Sequence, residues 1–142
     1  MDDLVVWLRA QLDEDQWYAE EAASHAAATG TFIGKGTRWH AQDYDRLWAV
    51  GDDESKPDRK LAECGHGGFR LTSYLARHDP ARVLREIDAK RQLLDELLPD
   101  LEHADRLIEG EWGSGDDVAR RFVRLLSLPY SDRPGYREEW RP

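Results

Sequence analysis

The side chains best suited to holding zinc are thiolate and imidazole, and His40, Cys64 and His66 are where this sequence offers them. Cys64-Gly65-His66 would present both donors from one turn, with His40, and His78 further along, completing a set. Structural zinc sites usually announce themselves by tight pairs such as Cys-x-x-Cys, and none occurs here, so the fold would have to gather the donors. A turn carrying a small buried thiol is the favoured reading of Cys64; zinc, catalytic or structural, is the alternative to having no cofactor.

A second candidate lies at Arg77-His78-Asp79-Pro80. Asp79 suits the N-cap of a helix and Pro80 its first position. Anions are favoured at helix N-termini, so a phosphate or carboxylate could dock with Arg77, His78 and Arg82. The same four residues also make a well-capped helix start with no ligand, and that reading is preferred. Gly65, Gly67 and Gly68 lack the Lys-Ser/Thr pair of a phosphate-cradling loop and read as a turn. No G-x-S-x-G elbow is present, and Cys64 has no activating base nearby in sequence. Asp43, Asp45, Asp52, Asp53 and Glu54 could meet a hard cation but lack the spacing of a calcium loop, so they read as solvated charge.

The elements that must position these residues follow from periodicity. Val5, Leu8, Leu12, Ala19, Ala22, Ala23 and Ala26 recur at helical spacing and predict an amphipathic helix from Asp2 to about Ala28, capped by Asp2 or Asp3 and stopped at Thr29-Gly30. Thr31-Phe32-Ile33, Thr37-Arg38-Trp39, Arg46 to Val50 and Lys60 to Cys64 are short β-favouring runs between turn residues, predicting an antiparallel meander of three or four strands. From Pro80 a stripe of Val83, Leu84, Ile87, Leu94, Leu97, Leu98, Leu101, Ala104 and Ile108 predicts a long helix that Pro99 kinks or breaks and Gly110 stops. Ser114 and Asp117, spaced like a capping box, introduce a further helix through Val118, Phe122, Val123, Leu125, Leu126 and Leu128, ended by Pro129. The aromatics Tyr130, Tyr136 and Trp140 of the tail are expected to pack on the parent core. The fold class is α+β.

A chain of 142 residues fits one domain, residues 1–142, and six Trp, five Tyr and three Phe supply enough apolar surface for a core. The net charge of −9 opposes phosphate backbones and anionic lipid, although Arg82, Arg85, Lys90 and Arg91 could form a local basic patch. A single cysteine permits no internal disulfide, and the acidic start resembles no signal peptide. No uncharged run is long enough to cross a bilayer. These features predict a cytoplasmic protein with no membrane association. The leucine stripe at Leu94, Leu98 and Leu101 could also pair with a second copy, though Lys90, Arg91, Pro99 and Asp105 interrupt any heptad.

Three stretches carry a resemblance: LVVWLRAQLDED (Leu4 to Asp15), YLARHDPARVLREIDAKR (Tyr74 to Arg91) and LPYSDRPGYREEWRP (Leu128 to Pro142). They resemble a family of uncharacterised proteins from actinobacteria and their phages, with the RHDPARVLRE segment and YREEW tail the most specific. In form the chain is also similar to small phage-type proteins in which a T-P-G-P-W turn leads into a meander and an A-x-P-x-x-V-L helix. Thr29-Gly30-Thr31-Phe32 replaces that turn, and Tyr74 stands where relatives often carry a histidine, which weakens a metal site built there. The resemblance implies an α+β arrangement and a mobile-element context, and transfers no active-site residue. Together the readings predict a non-enzymatic accessory or regulatory protein whose partner is another protein, with nucleic acid disfavoured.

Overall fold

Apolar side chains at Leu4, Leu8 and Leu12, then Ala19, Ala23 and Ala26, bury one side of a continuous helix, α1 (Asp2–Ala27). The computed structural model describes residues 1–27, 34–42, 45–51, 58–65, 69–112 and 117–142. After α1 come three short strands, β1 (Trp39–Gln42), β2 (Arg46–Ala49) and β3 (Arg59–Glu63). Helices α2 (Phe69–Arg77) and α3 (Pro80–Gln92) follow, then a π segment (Leu93–Leu97), α4 (Leu98–Trp112) and α5 (Val118–Ser127), with short 3-10 turns at Leu128–Tyr130 and Glu138–Trp140. This is the predicted α+β order. The stop at Thr29-Gly30 and the run Thr31-Phe32-Ile33 lie outside the described residues.

The chain forms two compact units, one of residues 15–86 and one of residues 1–14 with 87–142. In the unit of residues 15–86 the sheet has the order β1-β2-β3 and is antiparallel throughout. Leu47 and Ala49 are buried while Arg46 and Trp48 are half-buried, the period-two alternation of a strand with one covered face. Leu47 pairs with Ala62 and Trp48 with Lys60, so Leu61 is the extra residue of a bulge. Gly36 holds φ at 67°, and a Cβ there would stand 2.2 Å from the Ala23 carbonyl oxygen, so only glycine lets this turn press against α1. Arg59 donates at 2.7 Å to the carbonyls of His25 and Ala26, satisfying orphan acceptors near the helix C-terminus.

The other unit is built on Leu4, Leu8, Leu12, Ile87, Leu94, Leu98, Ala119, Val123 and Tyr130, all buried. Each fully buried leucine contributes roughly 1.5–3 kcal/mol. Leu94 and Leu98, which could have served a second copy, are spent in this interior. The tail packs as expected: Trp140 is buried and Trp7 contacts both Tyr136 and Trp140 at ring separations of 5.5 Å. The Trp7 indole N–H donates to the Pro134 carbonyl at 3.2 Å.

Three details differ from expectation. Pro99 does not break the helical run; the π segment ahead of it slips the ladder by one residue, with the Leu98 N–H reaching Leu93 O, and the proline falls in the first turn of α4. Gly110 stops nothing, since α4 runs on to Trp112. Asp117, expected as the acidic end of a capping box opened by Ser114, is itself the N-cap of α5 and accepts from the Arg120 N–H at 2.8 Å. Asp2 and Asp3 sit in the first turn of α1, where they favour its dipole, while the Met1 carbonyl accepts from the N–H groups of Leu4 and Val5.

Candidate anion-binding site

Arg70, Ser73, Tyr74 and Arg77 recur at i, i+3, i+4 and i+7, which places them on one face of α2, while Thr72 turns inward and is buried. That face, with His78 and Arg82 beyond it, lines a concavity of about 610 Å³ within the unit of residues 15–86. The structure therefore brings Arg77, His78 and Arg82 together and adds Arg70, Ser73 and Tyr74 to them.

Asp79 fixes the corner between the helices. Its carboxylate accepts from the Arg82 N–H at 2.8 Å as a helix N-cap and from the Trp39 N–H at 3.3 Å, tying the start of β1 to the start of α3. The Ala81 N–H donates to Thr37 O at 2.9 Å and the Val83 N–H to Asp79 O at 3.1 Å, and Pro80 has no N–H. The first amides of α3 are thus all engaged or missing, so an anion here is met by side chains and not by the helix terminus that the sequence suggested.

Those side chains are partly pre-set. Arg82 Nε donates to Glu86 Oε1 at 2.6 Å and its Nη1 to Arg77 O at 3.1 Å, which fixes the guanidinium plane and leaves other N–H groups free. His78 Nδ1 lies 2.8 Å from Tyr74 O; a carbonyl only accepts, so Nδ1 carries the proton and Nε2 is the ring atom left for a ligand. The Tyr74 and His78 rings lie 4.2 Å apart at 31°. Arg70 and Arg77 are exposed and have no acidic partner among the described residues. Three guanidiniums against Glu86 leave the site formally at +2 in a chain of net charge −9.

A second arginine-bearing concavity, of about 410 Å³ on α5, is lined by Asp117, Arg120, Arg121, Arg124 and Pro142. Its lining contains its own carboxylate, Asp117, 3.0 Å from Arg120 Nε. On the sheet, Glu63 accepts a hydrogen bond from the Lys60 ammonium at 3.0 Å; this bond, then the Lys60 charge and that of Arg46, hold its carboxyl below the ordinary glutamate range.

The zinc candidates do not converge in the same way. His40 lies on β1 opposite Trp48, with Nε2 2.8 Å from Asp58 Oδ2, whose other oxygen accepts from the Gly51 N–H. Cys64 follows β3, and its N–H donates to Asp45 O at 2.8 Å. Strand spacing and rise then put His40 and Cys64 roughly 10 Å apart across the sheet and roughly 10 Å along it. Ligands of one zinc ion each stand about 2.0–2.3 Å from it, so these two do not share one. His66 lies outside the described residues, as do Gly67, Gly68, Asp43 and Asp52 to Glu54. Among the described residues no group of three His, Cys, Asp or Glu side chains is placed to hold a metal.

The sequence reading missed Arg70, Ser73 and Tyr74. Their signal was the helical spacing to Arg77, legible once α2 is known to begin at Phe69. The whole chain, residues 1–142, matches the model of a family of unknown function (DUF6221), and the protein belongs to that family. No curated protein and no solved structure shows significant similarity to it.

Proposed function

We propose that this member of the family is a non-enzymatic binding protein whose partner is another protein, and that the basic concavity on α2 and α3 receives an acidic group of that partner. One observation carries the reading: among the described residues Arg70 and Arg77 have no carboxylate partner, and they share a concavity with a third, pre-oriented arginine. Elsewhere Arg9, Arg91, Arg120, Arg137 and Arg141 each sit against an acid, while Arg121 and Arg124 on α5 share their concavity with Asp117. Guanidiniums without a carboxylate partner present planar donor forks to an incoming anion. The exposed Tyr74 ring adds the apolar contact that protein recognition sites commonly use.

The setting is an accessory or regulatory role in a phage or mobile element of actinobacteria, supported by the likeness of the RHDPARVLRE and YREEW segments. A cytoplasmic location fits the lone Cys64 and the lack, among the described residues, of any helix long and apolar enough to cross a membrane. The test is fluorescence anisotropy with a labelled glutamate-containing acidic peptide and the full chain. Arg70→Ala/Arg77→Ala should weaken binding at least tenfold, and unchanged binding in that variant refutes the reading.

A further inference from the structure

We infer that the acidic group taken by this concavity is a phosphate monoester carried on a side chain of the partner protein. The inference rests on the binding reading above and narrows it. Charge is the first argument. The lining carries three guanidiniums, of which Arg82 is answered by Glu86 beside it; the two left over match a phosphate monoester, which bears about −1.5 to −2 at neutral pH, whereas a carboxylate would leave about one positive charge unanswered.

Geometry is the second argument. Arg70 and Arg77 lie two turns apart on one face of α2, about 10 Å along its axis at 1.5 Å per residue, and Arg82 comes from a different helix. A carboxylate has two oxygens in one plane, which a single guanidinium fork satisfies. The three terminal oxygens of a phosphate point in three directions and accept from several forks at once. Arg82 is already held by Glu86 Oε1 and Arg77 O, so less side-chain freedom is lost when it donates. His78 Nδ1 carries the ring proton, so Nε2 of the neutral ring accepts and adds no donor; the phosphate oxygens are met by the three arginines.

Two competing sources of phosphate fare worse. A nucleic-acid strand presents many phosphates to a surface of net charge −9, while this concavity answers one. Free inorganic phosphate would use the arginines and leave the exposed Tyr74 ring uncovered. The α5 concavity also sets three arginines against one acid, but there the acid, Asp117, belongs to the lining, whereas Glu86 lies outside the lining of the α2 concavity.

The test uses the full chain and three labelled peptides identical except at one central position, which is phosphotyrosine, tyrosine or glutamate, with inorganic phosphate as competitor. The phosphopeptide should bind at least tenfold more tightly than the glutamate peptide. Arg70→Ala/Arg77→Ala should abolish that preference, and Arg77→Lys, which keeps the charge and loses the fork, should reduce it severalfold. Arg121→Ala/Arg124→Ala on α5 should leave it unchanged. All these residues but Arg124 are exposed, and circular dichroism of each variant shows that its fold is intact. Equal binding of the glutamate and phosphotyrosine peptides overturns the phosphate inference and leaves the binding reading standing; no binding of either overturns both. Inorganic phosphate competing with an affinity equal to the phosphopeptide's assigns the site to free phosphate and overturns the partner-borne source. Loss of preference only in the α5 variant places the site elsewhere and overturns the assignment.

Discussion

Replacing Asp79 by alanine removes one carboxylate and two hydrogen bonds, to the N–H groups of Arg82 at 2.8 Å and Trp39 at 3.3 Å. Loss of an N-cap side chain costs about 1 kcal/mol. The Trp39 N–H is part-buried and would lose its acceptor, adding about 1 kcal/mol, with the longer of the two distances placing this contribution at the lower end of its range. The sum is about 2 kcal/mol, or roughly 6–8 °C in Tm for a chain of this size. Asp79→Asn keeps one oxygen, which caps the Arg82 N–H nearly as well as aspartate, but turns an NH2 donor toward the Trp39 N–H, so it should lose about 1 kcal/mol, roughly half the alanine loss. Urea unfolding followed by tryptophan fluorescence gives both values, and amide exchange at Trp39 and Arg82 shows whether the two bonds are the ones lost. An Asp79→Ala variant within about 0.5 kcal/mol of the parent, or an Asp79→Asn variant equally damaged, would refute the claim that one carboxylate ties β1 to α3.

Gly36→Ala should lose at least about 3 kcal/mol in the same unfolding assay, because alanine pays about 1–2 kcal/mol for positive φ and its Cβ meets the Ala23 carbonyl at 2.2 Å; a loss under about 1 kcal/mol contradicts the close approach. The Glu63 carboxyl should titrate below the usual value of about 4.3 in a carbon-detected NMR titration, and Lys60→Met should move it back up. Because the folded value is depressed, its small contribution to stability is complete above the unfolded value and fades as pH falls through the folded one; an unshifted midpoint contradicts the pairing. Tyr130→Phe removes the hydroxyl that accepts from Lys90 Nζ at 2.9 Å and should cost about 1 kcal/mol by urea unfolding, while retaining the packing of a ring that is 3% exposed. A neutral result would mean that the ring alone holds Lys90, whose ammonium sits 5.0 Å from its centroid.

The features that could be read from sequence were those governed by neighbours within a few residues. The apolar spacing of α1, the Asp79-Pro80 start of α3 and the β-favouring runs around Trp39, Arg46 and Lys60 each state a local preference, and each formed the element expected. Pro99 pointed to a disturbance of the helix, and the regular ladder is indeed interrupted; the cost of an interior proline says only that the ladder must yield, and a one-residue slip at Leu93–Leu97 is how it does. The placement of His40 and Cys64 was illegible for a different reason. Their separation is set by strand order and register, and a sequence with three short strands does not state either. Arg77, His78 and Arg82 were found because the capped helix start drew attention to them, yet the amides that motivated the choice are already engaged. Residues that do share one concavity were reached through a terminus whose first amides are already engaged.

That substitution of side chains for backbone changes which anions the site would admit. Helix-terminal amides favour any anion that fits, whereas arginine forks reward an acceptor with several oxygens and penalise one that leaves a guanidinium unpaired. The surrounding charge sharpens the choice by range. At physiological ionic strength screening acts over about 8 Å, so a compact anion inside the concavity would feel chiefly Arg70, Arg77 and Arg82, while an extended polyanion would also meet other parts of a chain whose net charge is −9. On the proposed reading, selectivity for a single anionic group over a chain of them would need no dedicated contact; it would follow from placing three arginines together on a protein whose acids outnumber its bases.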